Sequence, residues 1–405
     1  MSSAEISGRD PATGQPVTVR VDSGRIVDVR REPHASDDLN DPGPYLSPGL
    51  IDLQVNGFAG FDVNTTDATT LTHPAEDRQG GEPSVGSADP IVGLVRALFA
   101  VGVTTVVPTI VTASEEHIVA CLRRVAKARE ADPLTRHAIP FVHVEGPHLS
   151  DQDGPRGVHP REHIRPPDLA EFLRWQEACD GLVGMVTVSP HFEGSTGYIR
   201  ELVARGVRVA IGHTHATPEQ VRAAADAGAT LSTHLGNGAH AVLPRHPNYV
   251  WAQLADDRLC AGFIADGHHL PADTLVAMLR AKGLRRSLLV SDATTLAGSP
   301  PGVYHTSVGG EVELSPDGRL SYRGTPFLAG AARPVTDGVA HVANLGPFSL
   351  AEALELATRS PGRFVGDRGV LEVGAPADLI TFTWRPGDTT LTIDRVWVAG
   401  QEVVG

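Results

Sequence analysis

Cysteine is scarce in this sequence: Cys121, Cys179 and Cys260 are its 3 cysteines, odd in number and far apart. No Cys-x-x-Cys pair exists to form a thiolate metal site or a redox dithiol, and a reducing, cytoplasmic setting is the simplest expectation. Positive charge is also short, with 34 Lys+Arg against 48 Asp+Glu and a net charge of −14. That balance argues against a protein that coats nucleic acid or an anionic membrane. It leaves open a small anionic ligand held by a local arginine. Long apolar runs are missing as well: the most apolar stretch, 91 to 111, is interrupted by Arg96, Gly102 and Pro108. The opening MSSAEISGRD has neither a basic patch nor an apolar core. Neither a membrane span nor a signal peptide is expected.

What is present is the composition of an ordinary globular protein, 41% apolar and 20% charged over 405 residues. That length suits two or three domains, or one large barrel with an accessory domain. Near the start, VTVRV (17 to 21) and RIVDV (25 to 29) alternate like strands, as do ADLITFTW (377 to 384) and IDRVWVAGQEVV (393 to 404) at the finish. Neither pair can bury a sheet face alone, so both ends are expected to join in one small β-sandwich domain, 1–46 plus 365–405.

Between them, eight short apolar runs alternate with helical stretches: 49–55, 104–111, 139–145, 184–189, 207–213, 230–235, 260–266 and 287–292. Near-continuous apolar strands separated by helices mark a parallel sheet covered on its faces. Eight of them predict an α/β chain whose residues 47–364 form a (β/α)8 barrel. Thr217-Pro218-Glu219-Gln220, Ser114-Glu115-Glu116 and Ser349-Leu350-Ala351-Glu352 read as helix starts. The polar, aperiodic segment 62–90 reads as a long loop.

A barrel of this kind carries its chemistry at the C-terminal ends of its strands. Here those ends hold Glu145, His213, His234, Asp266 with His268 and His269, and Asp292. A glutamate and two histidines from separate strand ends can form an open three-ligand metal site. A single histidine there is equally a hydrogen-bonded rim residue. Carboxylates that follow Val142-His143-Val144 and Leu288-Leu289-Val290 are harder to explain without a cation or donors.

Six segments, PGLIDLQVNGFAG (48–60), HVEGPHL (143–149), GHTHAT (212–217), THLGNG (233–238), ADGHHL (265–270) and SDATTLAG (291–298), carry a resemblance. In this order the chain resembles the N-acetylglucosamine-6-phosphate deacetylases of the amidohydrolase superfamily, over nearly its whole length. The resemblance implies one divalent metal ion per subunit, usually zinc, on Glu145, His213 and His234. It implies that Asp292 acts as general base and then acid, and that His159 polarises the acetamide carbonyl, two residues further along than usual. Gln54 and Asn56 fall where many amidohydrolases carry a second-metal His-x-His pair, and neutral amides are poor zinc ligands. Asn237, Gly238, Arg245, Asp266, His269 and the loop Leu328-Ala329-Gly330 match substrate contacts, with Arg245 on the phosphate. A homodimer whose arginine reaches the neighbouring site is also implied.

The phosphate region departs most from the pattern. Asn237 is followed by Gly-Ala rather than Ala-Met, and Arg245 by His-Pro-Asn rather than Glu-Pro-Gly. Three functions are therefore open: deacetylation of N-acetyl-D-glucosamine 6-phosphate, hydrolysis of another N-acetylated amino sugar or N-acyl substrate, and a catalytically silent barrel used for assembly or sensing.

Overall fold

The computed structural model describes residues 4–31, 43–66, 89–306, 310–325 and 327–405. Most of the predicted 62–90 loop lies outside the described residues.

Eight parallel strands form the barrel in simple chain order: Leu50–Val55, Val103–Val111, Val142–Glu145, Val183–Val188, Arg208–Ile211, Leu231–Ser232, Cys260–Ile264 and Ser287–Val290. They match the eight apolar runs. The third begins at Val142 rather than 139, because Ile139 caps the preceding helix, Pro133–Ala138, with its N–H on Thr135 O. Helix starts follow local chemistry. Thr217 and Ser349 each make a reciprocal capping box, with Gln220 and Glu352, and Ser114 caps Glu115–Ala131. Each box satisfies end N–H groups that the helix itself cannot.

The ladder is continuous everywhere except between the first and eighth strands, which share no strand pairing among the described residues. That seam is closed by single bonds. At the base, Ile51 N–H and Leu289 N–H donate to the carbonyls of Ala357 and Leu356, both at 2.8 Å, so a short segment wedges between the strands. At the mouth, Asp292 N–H donates to Gln54 O at 2.9 Å and Asn56 N–H to Ala293 O at 2.8 Å.

The two chain ends meet in one seven-stranded sheet made of Ala4–Arg9, Pro16–Asp22, Arg25–Arg31, Tyr45–Pro48, Leu379–Thr383, Thr392–Val398 and Gln401–Val404. Only the Ala4–Arg9 and Tyr45–Pro48 pair is parallel. The expected sandwich is thus built from a single sheet that curls: Ala377 N–H reaches Gly24 O at 2.9 Å, and Ile26 N–H reaches Ala375 O at 3.0 Å. One face pools Ile6, Val17, Val19, Val21, Leu46, Leu379 and Trp397 in a core of its own. Alternation turns Ile380, Phe382, Val396 and Val398 the other way, into the barrel's core.

A third sheet was not legible in the sequence. Gly302–Thr306, Gly310–Leu314 and Leu320–Tyr322 form an antiparallel meander after the eighth barrel strand. Cys121, Cys179 and Cys260 are free thiols. Among the described residues, no helix is long and apolar enough to cross a membrane.

Candidate metal centre and active site

Glu145 ends the third barrel strand, while His213 and His234 lie just past the fifth and sixth. All three are buried. His213, His234 and Asp292 have positive φ of 45°, 24° and 51°. That backbone region costs a non-glycine residue roughly 1–3 kcal/mol, and such strain gathers where a site needs a side chain redirected.

The three side chains converge on one point. His213 Nε2 lies 3.0 Å from His234 Nε2, which is 3.1 Å from Glu145 Oε1, and the third side of the triangle is 3.3 Å. Ligands at zinc distances of about 2.0–2.1 Å in tetrahedral array stand about 3.3 Å apart, so these spacings suit a small cation. The tautomer fits as well. His213 Nδ1 donates to Pro155 O at 2.8 Å, which turns Nε2 toward that point as a metal ligand requires.

Electrostatics agree. Burial opposes the charge of Glu145, but the two imidazoles outweigh it and hold the carboxyl well below its usual value. Burial alone lowers the pKa of His234, yet Glu145 beside it raises it to about 9. The pocket therefore favours a positive charge between these groups. Beneath lies a neutral polar layer: His143 bonds Thr187 Oγ1 at 2.7 Å, Thr187 bonds Thr233 Oγ1 at 2.7 Å, and burial lowers the pKa of His143 to about 4.

Gln54 and Asn56 turn N–H groups, not oxygens, toward the carboxylates. Gln54 Nε2 donates to Glu145 Oε1 at 3.0 Å and Asn56 Nδ2 to Asp292 Oδ1 at 2.8 Å. A second cation beside them would meet donors. Asp292 itself is half-buried, and desolvation followed by repulsion from Glu145 pushes its pKa up to about 6. That is a suitable value for a group that takes and returns a proton near neutrality.

His159 reaches this centre despite its offset in sequence, with Nε2 3.3 Å from His213 Nε2. Its Nδ1 lies 2.9 Å from Thr112 Oγ1, and burial lowers its pKa to about 3, so the ring is neutral. The loop that carries it borders an open cavity of about 540 Å³ lined by Asp153, Arg156, Val158, His159, Arg161 and Glu162. Thr112 and the Pro155 carbonyl went unnoticed in the sequence. A threonine just past an apolar run reads only as a strand end, and a main-chain carbonyl leaves no signal.

The remaining residues divide. The Leu328-Ala329-Gly330 loop packs over the end of strand eight, where Thr294 N–H bonds Ala331 O at 2.9 Å and a Cβ on Gly330 would meet Thr294 Cγ2 at 2.5 Å. The Asn237 Nδ2 atom is buried without a hydrogen-bond partner among the described residues. A Cβ on Gly238 would come within 2.6 Å of His213 Nδ1, so this residue packs on a centre ligand. Asp266 is bonded within its own loop: Oδ1 accepts from His268 N and His269 N at 2.8 and 2.9 Å, and Oδ2 from His269 Nδ1 at 2.7 Å. Its bonds aim His269. Although burial opposes it, that pairing holds Asp266 well below the usual carboxylate range. Arg245 is exposed on the 239–247 loop and makes no hydrogen bond or ion pair with another described residue.

Residues 45–403 match the model of the amidohydrolase family, which is metal-dependent. The N-acetylgalactosamine-6-phosphate deacetylase of Escherichia coli O157:H7 is 32% identical over 361 residues, 88% of this chain and 87% of its own. The human N-acetylglucosamine-6-phosphate deacetylase is 34% identical over 408 residues, 95% of this chain and 90% of its own. Among solved structures, a point mutant of N-acetyl-D-glucosamine-6-phosphate deacetylase from Mycobacterium smegmatis, in complex with N-acetyl-D-glucosamine 6-phosphate, is similar with a TM-score of 0.83 at 29% identity, covering 100% of both chains.

Proposed function

The chain belongs to the amidohydrolase family, and from that membership we propose that it hydrolyses N-acetyl-D-glucosamine 6-phosphate to D-glucosamine 6-phosphate and acetate. The observation that carries this reading is the triangle of Glu145, His213 and His234, with sides of 3.0, 3.1 and 3.3 Å, beside a half-buried Asp292. Those three side chains would hold one divalent cation, zinc by the family resemblance. Bound there, it would supply Lewis acidity, lowering the pKa of water and polarising a carbonyl.

The chain's own groups do the rest. Asp292 takes a proton from the attacking water as its oxygen bonds to the acetamide carbon. It then gives that proton to the nitrogen as the C–N bond breaks, because an amine leaves readily only once protonated. Asn56 holds the carboxylate through Oδ1 during both transfers. Thr112 Oγ1 is nearer to His159 Nδ1, at 2.9 Å, than to Glu145 O, at 3.4 Å. These contacts orient the ring with Nε2 toward the centre, where in its Nε2–H tautomer it would donate to the developing oxyanion.

Asn237, Gly238 and His269 would face the sugar, with the 328–330 loop over the acetyl group. Arg245 would bind the phosphate, and its exposed position suits an arm that reaches the site of a second copy in a homodimer. Free cysteines suit work in the cytoplasm. Acetate release measured on N-acetyl-D-glucosamine 6-phosphate, its galacto epimer and the unphosphorylated sugar tests the assignment. Arg245→Ala is expected to raise KM for the phosphorylated sugar on the order of 10- to 100-fold with little change in kcat, since a guanidinium–phosphate contact is ground-state binding. Preferred turnover of the unphosphorylated sugar would remove the phosphate from the proposal.

A further inference from the structure

Asp52 has no part in the mechanism above, yet it sits in the first barrel strand with 1% of its surface exposed. A carboxylate so placed is costly unless donors meet it. Its Oδ1 accepts two main-chain N–H groups, Gln54 at 3.2 Å and Ser291 at 3.1 Å. Ser291 stands across the seam, where strands one and eight share no ladder among the described residues. The residue after it is Asp292, held at a φ of 51°. Gln54 in turn accepts the Asp292 N–H at 2.9 Å on its carbonyl and holds Glu145 Oε1 at 3.0 Å with its side chain. One carboxylate thus grips the backbone of the residue that steadies Glu145 and of the residue that precedes Asp292.

We propose that Asp52 is a positioning residue for the hydrolysis: by clamping the Ser291 and Gln54 amides across the barrel seam, it fixes the Asp292 carboxylate relative to Glu145. This rests on the deacetylase reading above. A non-glycine residue at positive φ keeps that conformation only while its surroundings enforce it. The turn itself is held by the Asp292 N–H bond to Gln54 O and by the Asn56 side chain, and the Asp52 clamp fixes the two segments, at Gln54 and Ser291, that carry the first of these bonds. A shift of about 1 Å in a reacting group lowers a rate on the order of 100-fold, so the clamp acts on turnover more than on substrate binding. What Asp52 contributes is an acceptor at a fixed place, and a carboxamide of the same shape offers the same oxygen.

Asp52→Asn, Asp52→Ala and Asp52→Glu separate position from charge. Each variant is compared with the parent for kcat, KM, bound metal per subunit, thermal melting and amide hydrogen exchange over 289–293. Asp52→Asn is expected to keep kcat within about 5-fold, while Asp52→Ala and Asp52→Glu lower it about 100-fold with KM changed less than about 3-fold. Metal content should stay at the parent's level in all three. Exchange of the 289–293 amides should speed up in the alanine and glutamate variants and remain slow in the asparagine one. A folded Asp52→Ala or Asp52→Glu protein with parental kcat overturns the proposal, and so does an Asp52→Asn protein as slow as Asp52→Glu. If the alanine variant does not fold, the asparagine and glutamate pair decides alone. Failure of the parent itself to release acetate would count against the assigned substrate, and the exchange comparison would still judge the clamp.

Discussion

Asp292 sets the expected pH behaviour of the site. Burial and the nearby Glu145 raise its pKa to about 6, and it accepts a proton only when ionised, so kcat is expected to fall as pH drops through about 6. A bound cation pulls that limb toward lower pH. Asp292→Asn should lower kcat about 10²- to 10⁴-fold, leave KM within a few fold and abolish the limb, as a kcat–pH profile with acetate detection would show. Asp52 gives a separate prediction for stability. Burial raises its pKa from 3.8 to about 7, so between those values the folded chain holds a proton that the unfolded chain has lost. The stability it contributes is complete below the unfolded value and is lost as pH rises through 7, at about 1.4 kcal/mol per unit within the window. Melting of Asp52→Asn relative to the parent is therefore expected to improve from pH 5 to pH 8; an unchanged difference would mean the carboxyl titrates normally. Glu145, His213, His234 and Asp292 were legible because each stands at or near the C-terminal end of a strand-like run. Asp52 was not, since within LIDLQV one polar residue reads as the solvent face of an alternating strand.

At the scale of elements, local sequence sets most starts and stops. Thr217 caps Pro218–Asp226 in a reciprocal box with Gln220, the bonds staying within the helix's own first turn. Thr217→Ala is expected to cost about 1 kcal/mol in urea unfolding while kcat and KM hold steady, because it removes a cap and nothing else. All eight barrel strands were readable, down to the two-residue pairing of Leu231–Ser232, since their apolar runs are nearly continuous. The meander of Gly302–Thr306, Gly310–Leu314 and Leu320–Tyr322 was not. Gly310–Leu314 buries only Val312 and Leu314, so its polar, glycine-bounded sequence resembles a loop. Helix caps and barrel strands depend on neighbours within a few residues. A thin surface sheet depends on a partner strand whose own signal is just as weak.

For the whole molecule, the predicted cation binds the folded chain and leaves the unfolded one, so it acts as a stabilising ligand. Dialysis against a chelator should lower the melting temperature, and added zinc should restore it. The difference corresponds to about 4 kcal/mol when free metal is a thousandfold above Kd. Calorimetry with and without chelator reads this directly, and identical melts would argue against a metal on Glu145, His213 and His234. The sequence by itself determined the barrel, the joining of the two chain ends and the set of strand ends that carry polar groups. Apolar periodicity dictates strands and helices, and a parallel barrel must present all its strand ends on one rim. Only the tertiary structure decided how the ring is closed and which side chains touch. The Asp52–Ser291 bond spans 239 residues, and the Thr112–His159 contact spans 47. Such pairs are set by where the folded backbone brings two distant segments, and no local pattern in either segment encodes the distance between them.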